Sequence, residues 1–278
     1  MSSHFSRDSG VWKCVAGGVV AGFLAGFATK LYLSKRKSEK TFRLAYFPGR
    51  GLAEITRTLF ATKGVTFKDD RVGLADAPSK TSNLGRLPQL EVSFASGAPT
   101  LVIGQSLPIA MYVAEELDLL GNSEEEKARI LEICQCIKDV GDAFSKVYPY
   151  GGTPKENWEK IWFEEDGEER EKRQLRWYLK RISALILRDD GYCVGGRPSL
   201  ADAYIYNRLY ESFEGDFIDS DYFTKERQEL SRYPFRSSAD RTKKLLREQF
   251  PKLNKICERF GSSPGMVAHL KNRGKQMF

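Results

Sequence analysis

The chain has 278 residues and a formal net charge of +7, enough length for one or two domains with a substantial core. The charge is uneven: Lys35, Arg36, Lys37 and Lys40 form one cationic block, Lys271, Arg273 and Lys275 another, and no basic stripe is interleaved with aromatics, which argues against nucleic acid as a partner. Five scattered cysteines argue against a disulfide framework and for a reducing compartment, and two histidines exclude a His-rich metal site.

Residues 1–40 read as an anchor and a basic linker. Cys14 to Thr29 is uncharged and rich in Val, Ala, Gly and Phe. Counted from Val11 to Leu33, with Lys13 and Lys30 snorkelling, it can cross a bilayer core of about 30 Å at about 1.5 Å per helical residue. The run ends in a cationic block rather than a small-residue cleavage site, which opposes a signal peptide. The positive-inside rule then leaves the body in the cytosol. Gly18, Gly22 and Gly26 share one helical face, which suits either a close helix contact or the ordinary small-residue content of membrane helices.

Residues 41–121 read as a small α/β domain. Thr41 to Phe47 alternates as a strand, and Pro48-Gly49-Arg50-Gly51 breaks it. Leu52 to Lys63 is helical, with Ile55, Leu59 and Phe60 on one face, and Gly64 ends it. Phe67 to Val72 is a second strand, parallel to the first by the βαβ rule. Asp76 to Asn83 is a polar loop. Gly85 to Val92 and Leu101 to Gln105 supply a hairpin. Ile109, Tyr112, Val113 and Leu117 then recur at helical spacing, with Pro108 in the first turn. Ser106 stands at or just before that helix N-terminus, where unpaired N–H groups and a partial positive charge suit a carboxylate; as a plain cap it would need no ligand.

Residues 122–278 read as all-helical. Ser123 to Glu126 is a capping box, and Ile130, Ile133, Cys134, Ile137, Val140 and Phe144 mark a long amphipathic helix. Cys134 and Cys136 would point apart on it. Glu156 to Glu171 is acidic and carries tryptophans, a solvated helix or loop. Leu175 to Ile186 marks another helix. Ser199-Leu200-Ala201-Asp202 caps a helix running to about Phe213; with no histidine beside it, the Ser/Asp pair reads as a cap and not as catalysis. Glu214 to Asp240 is polar and irregular, and Pro251 to Phe260 and Pro264 to Leu270 close the chain.

These motifs carry a resemblance. Leu44-Ala45-Tyr46-Phe47 with Arg50-Gly51 and Ala53-Glu54, then Gly85-Arg86-Leu87-Pro88-Gln89-Leu90, Gln105-Ser106, Ser199-Leu200-Ala201-Asp202 and Phe250-Pro251-Lys252-Leu253 resemble the cytosolic-type glutathione transferases, tyrosine-type and nearest the sigma class. The resemblance implies a thioredoxin-like domain followed by an all-helical one, a homodimer, glutathione as co-substrate, a hydrophobic electrophile and no metal.

The resemblance also implies site residues. Tyr46 donates a hydrogen bond to the glutathione sulfur, which matters because the thiolate, not the thiol, is the nucleophile. Leu87, before a cis Pro88, pairs with the cysteinyl backbone. Gln105 and Ser106 hold the γ-glutamyl group, and Lys80 and Arg86 take the glycyl carboxylate. Phe47 and Met111 border the electrophile pocket. Leu52 replaces an arginine that assists the tyrosine in sigma-like enzymes, so Arg50 takes that role or activity is low. A family tryptophan ahead of Lys80 is missing, with Ala75-Asp76 in its place, and the acidic residue donated across the dimer falls near Leu131, with Glu132 as its replacement. The rival readings are a glutathione-dependent isomerase of the prostaglandin type and a non-catalytic carrier of lipophiles. Membrane lipid is the remaining partner implied, through the anchor.

Overall fold

The structure, a computed structural model, describes residues 40–73, 76, 81, 83–149, 153–211 and 235–273. The anchor segment, Lys80 and Ala75 lie outside the described residues. Among the described residues no helix is long and apolar enough to cross a membrane.

Two units divide the chain. In the smaller, the described part is Lys40–Thr41 and the hairpin tip Val92–Thr100, where Gly97 N–H closes the turn on the Phe94 carbonyl at 3.0 Å. The larger spans Phe42–Glu91 and Leu101 onward.

Strand β1 (Lys40–Tyr46) leads through one 3-10 turn (Gly51–Ala53) into α1 (Glu54–Lys63) and β2 (Lys68–Arg71). Gly64, at φ 63°, takes the left-handed conformation that ends α1. β2 pairs parallel to β1, with Arg43 opposite Lys68 and Tyr46 opposite Arg71, as the βαβ rule requires. β3 (Gln89–Phe94) and β4 (Leu101–Gly104) complete a sheet of order β2-β1-β3-β4. The alternation in β1 and β3 buries Phe42, Leu44, Leu90 and Val92. From α1 the sheet receives Leu59 and Phe60, both fully buried, whereas Ile55 is only half-buried.

α2 (Ser106–Glu116) follows β4 directly. The long α3 (Glu124–Val147) starts where Ser123 accepts the Glu126 N–H at 3.2 Å, and Glu126 returns a carboxylate to the Asn122 N–H at 2.7 Å. On α3 Cys134 is buried while Cys136 is half exposed, so the two thiols do point apart. α4 (Trp158–Glu164), α5 (Leu175–Leu185), α6 (Leu200–Ile205), α7 (Phe235–Gln249), α8 (Pro251–Gly261) and α9 (Pro264–Arg273) form the rest. The α6 capping box is complete: Asp202 accepts the Ser199 N–H at 2.8 Å and the Cys193 N–H at 2.9 Å. α6 then widens into a π-type turn over Tyr206–Glu211, and Phe213, the expected end of the helix, lies outside the described residues.

Two expectations need correction. Glu156 to Glu171 is not simply solvated: Trp162 and Phe163 of α4 are each 4 % exposed, and Trp162 packs 5.0 Å from the Phe144 ring. Of its acidic residues, Glu168 is paired close by with Arg181 at 2.7 Å and Asp166 with Lys180, while Glu159 is met at 3.0 Å by Arg241 of α7. The segment's apolar half, not its charge, decides its place. Within Glu214 to Asp240, the end is already helical, because α7 begins at Phe235.

α9 packs along α1, the close approach being possible at Gly265, where an added Cβ would stand 1.9 Å from the Ala61 carbonyl oxygen. This helps bury Glu54, which bonds His269 and Arg273 of α9, whereas Arg57 is buried against the Gly49 and Arg50 carbonyls and Asp69 of β2.

Candidate functional site

Tyr46 closes β1, and its phenol is 9 % exposed. Its Oη accepts the backbone N–H of Leu52 at 3.1 Å. The 3-10 turn brings that N–H back, and only glycine allows it: at Gly51, φ is +43° and an added Cβ would meet Oη at 2.4 Å. Burial raises the pKa of the phenol above its ordinary value, against the Leu52 bond and the charge of Arg57, whose guanidinium lies 5.8 Å from the ring centroid. At neutral pH the hydroxyl is therefore protonated. Its lone pair is occupied by Leu52, and its one proton is available to an acceptor. That is the arrangement of a donor to an anion such as a thiolate.

Leu52 turns a 58 % exposed side chain outward while its N–H holds Tyr46. The identity of residue 52 thus changes the side chain's contribution and leaves the backbone bond in place. Arg50 is 3 % exposed, and its carbonyl accepts from Arg57 Nη1 at 3.1 Å. Phe47 is half-buried, its ring 5.2 Å from that of Tyr46.

Just before β3, the strand beside β1, Leu87-Pro88 is cis and buried. Gln105 sits between β4 and α2 at φ 71°, ψ 134°, a left-handed conformation rare for a side chain that large. It, not Ser106, is the residue that flanks the helix, and no side chain caps α2. Ser106 is the first helical residue, so the N–H groups of the first turn keep the partial positive charge that suits a carboxylate. Gln105 is exposed, and Ser106 and Met111 are half-buried.

Asn83 was not singled out by the sequence. It holds its Oδ1 3.5 Å from Gln105 Nε2, and its side chain fills the space where a Cβ on Gly104 would lie. The loop that carries it is tied by Arg86 N–H to the Asn83 carbonyl at 2.8 Å and by Thr81 Oγ1 to the Arg86 carbonyl at 2.8 Å. The loop before Leu87 is thereby brought against the strand end carrying Gln105. The Arg86 side chain is exposed there. No local pattern marks Asn83, because its partner is 22 residues away.

Glutathione S-transferase 3 of Caenorhabditis elegans is 31 % identical over 187 residues, 64 % of this chain and 83 % of that protein. The chain belongs to the glutathione S-transferase family. The human hematopoietic prostaglandin D synthase is 37 % identical over a shorter span of 111 residues, 39 % of this chain and 51 % of its own. Among solved structures, the glutathione S-transferase of Ascaris lumbricoides has 24 % identity and a TM-score of 0.60, covering 86 % of this chain and 100 % of that one. The Fasciola hepatica sigma class enzyme gives 24 % and 0.61, with 86 % and 99 % covered. No family model matches. The fold is accordingly that of the family, a thioredoxin-like part followed by a helical one. Among the described residues no cluster of His, Cys, Asp and Glu has the placement of a metal site.

Proposed function

We propose that the chain ionises glutathione at Tyr46 and joins it to hydrophobic electrophiles. Family membership makes it a glutathione transferase with glutathione as co-substrate. The single observation that carries the mechanism is the Tyr46 hydroxyl, buried, protonated and oriented by the Leu52 N–H. The thiol yields its proton to solvent; the sulfur pair forms the S–C bond; the electrophile keeps the displaced electrons on its leaving group or adjacent atom. Gln105 and Ser106 receive the γ-glutamyl carboxylate, Leu87 the cysteinyl backbone, and Arg86 with Lys80 the glycyl carboxylate. Phe47 and Met111 border the electrophile, and Arg50 assists the sulfur in place of the arginine missing at Leu52.

We read residues 41–121 as the glutathione-binding domain and 122–278 as the helical domain. Residues 1–40 are proposed to anchor the body on the cytosolic side of a membrane, from which apolar substrates would arrive; the uncharged run and following cationic block support this. Alkaline carbonate should then leave the protein in the membrane pellet. A homodimer is the proposed assembly, supported by Leu84, Leu101 and Val102, which are 82 %, 39 % and 44 % exposed near and along the edge strand β4. The main test is retention on immobilised glutathione, weakened in Ser106→Ala, together with turnover of a chromogenic electrophile. No binding at millimolar glutathione would overturn the proposal.

A second reading, a glutathione-dependent isomerase, is favoured by the similarity to the prostaglandin synthase. It uses the same thiolate and differs in regenerating glutathione. Stoichiometric loss of free thiol during turnover separates the two.

A further inference from the structure

Glu54, Arg57, His269 and Arg273 make a buried ionic cluster that the chemistry above does not use. Glu54, in the first turn of α1, is 3 % exposed. Its Oε1 accepts from His269 Nε2 at 2.9 Å and from Arg273 Nη1 at 2.7 Å, both from α9. A carboxylate at this position only accepts, so the histidine Nε2 carries the proton. The second oxygen accepts from Arg57 Nη1 at 3.2 Å. Burial opposes the Glu54 charge, but the bond from His269 and the charges of Arg57 and Arg273 outweigh it and hold the carboxyl well below its usual range.

Arg57 is the link to the reacting end. The same Nη1 that meets Glu54 also donates to the Gly49 carbonyl at 2.9 Å and the Arg50 carbonyl at 3.1 Å. One nitrogen with two protons thus faces three acceptors, and they compete. Those two carbonyls lie in the loop that continues into Gly51 and Leu52, and Leu52 N–H is what orients the Tyr46 hydroxyl. If Glu54 loses the donors from α9, its uncompensated charge draws Arg57 toward itself and away from the carbonyls. The loop is then held at Gly49 by Arg71 alone of these two arginines, at 2.7 Å. Leu52 N–H, three residues further on, is released from its register with Tyr46.

We propose that His269 and Arg273, near the end of the chain, are positioning residues for Tyr46, acting through Glu54 and Arg57 on the loop that holds its hydroxyl. The inference rests on the reading of Tyr46 as the thiolate donor. It differs from a purely stabilising role in one measurable respect. A stabilising cluster changes the unfolding temperature and leaves the bound thiol's acidity alone. A positioning cluster changes that acidity in protein that is still folded.

The test titrates the ultraviolet absorbance of bound glutathione thiolate in the full-length chain and in Arg273→Met, Arg273→Lys and His269→Leu. In Arg273→Met the thiolate pKa should rise by about half a unit or more, lowering the thiolate fraction about threefold below neutrality. Turnover should fall by the same factor at pH 6.5 and recover at alkaline pH, while the dissociation constant of glutathione stays within about twofold. Arg273→Lys, which keeps the charge, should recover most of the shift. His269→Leu should move it in the same direction by less; if Arg273→Met does not fold, this variant decides the matter. Folded variants with an unchanged titration overturn the inference and leave the Tyr46 reading standing. A full-length chain whose bound glutathione titrates like the free thiol, near pH ~8.5, and indistinguishably from Tyr46→Phe overturns both.

Discussion

Tyr46→Phe removes one oxygen from a site whose geometry states what that oxygen does. The ring is 9 % exposed and is packed against Gly51, so phenylalanine fits without new contacts. The protein loses the acceptor of the Leu52 N–H at 3.1 Å, worth about 1 kcal/mol of stability, which should leave it folded. Bound glutathione loses a charge-assisted hydrogen bond of about 1.5–3 kcal/mol. That corresponds to a rise in the thiolate pKa of about one to two units, from a value depressed below the free thiol's ~8.5. Turnover at pH 6.5 should fall about tenfold to a hundredfold, and the deficit should shrink above pH ~9, where the thiol ionises unaided. Glutathione affinity should change little, because the proposed contacts of Gln105, Ser106 and the Leu87 backbone with the rest of the tripeptide are left in place. Adding Arg50→Ala tests whether that guanidinium acts on the same sulfur, since groups acting on one atom are non-additive. Equal absorbance and equal rate in Tyr46→Phe would show that the tyrosine is a core aromatic, and the lipophile carrier would become the better reading.

Three further outcomes are expected. Leu52→Arg places a cation on an exposed side chain beside Tyr46 and should raise the rate at pH 6.5 about threefold or more with no loss of stability; a lower rate would show that this position does not face the sulfur. Gly51→Ala forces a Cβ into the phenol and a side chain into φ +43°, costing about 1–2 kcal/mol by denaturant unfolding and at least tenfold in turnover; wild-type kinetics would refute the packing described. For Glu54 the folded carboxyl is depressed, so its contribution is fully present above the unfolded pKa of about 4.3 and is lost as pH falls below it. The stability gap between the wild type and Glu54→Gln should therefore be large at pH 7 and smaller near pH 3; a gap that does not depend on pH would contradict the cluster's charge state.

Much of the fold is legible in local pattern. Gly64 ends α1 by taking the left-handed conformation that glycine adopts without strain, and the βαβ connection then forces β1 and β2 parallel. Pro108 and the apolar spacing behind it place the start of α2, and Ser199 with Asp202 announce α6. The residues proposed for glutathione are legible for the same reason: Tyr46, Leu87-Pro88 and Gln105-Ser106 each sit where a strand begins or ends, and strand ends have short-range signals. Charge pattern misleads where apolar residues decide burial, as with Trp162 and Phe163 inside an acidic stretch. What only the tertiary structure decides is the set of partners brought from far along the chain. Asn83 reaches Gln105, and Glu54 is held by His269 across 215 residues, because α9 folds back along α1. No periodicity or spacing encodes such a pair; the packing of two helices that the sequence places at opposite ends does.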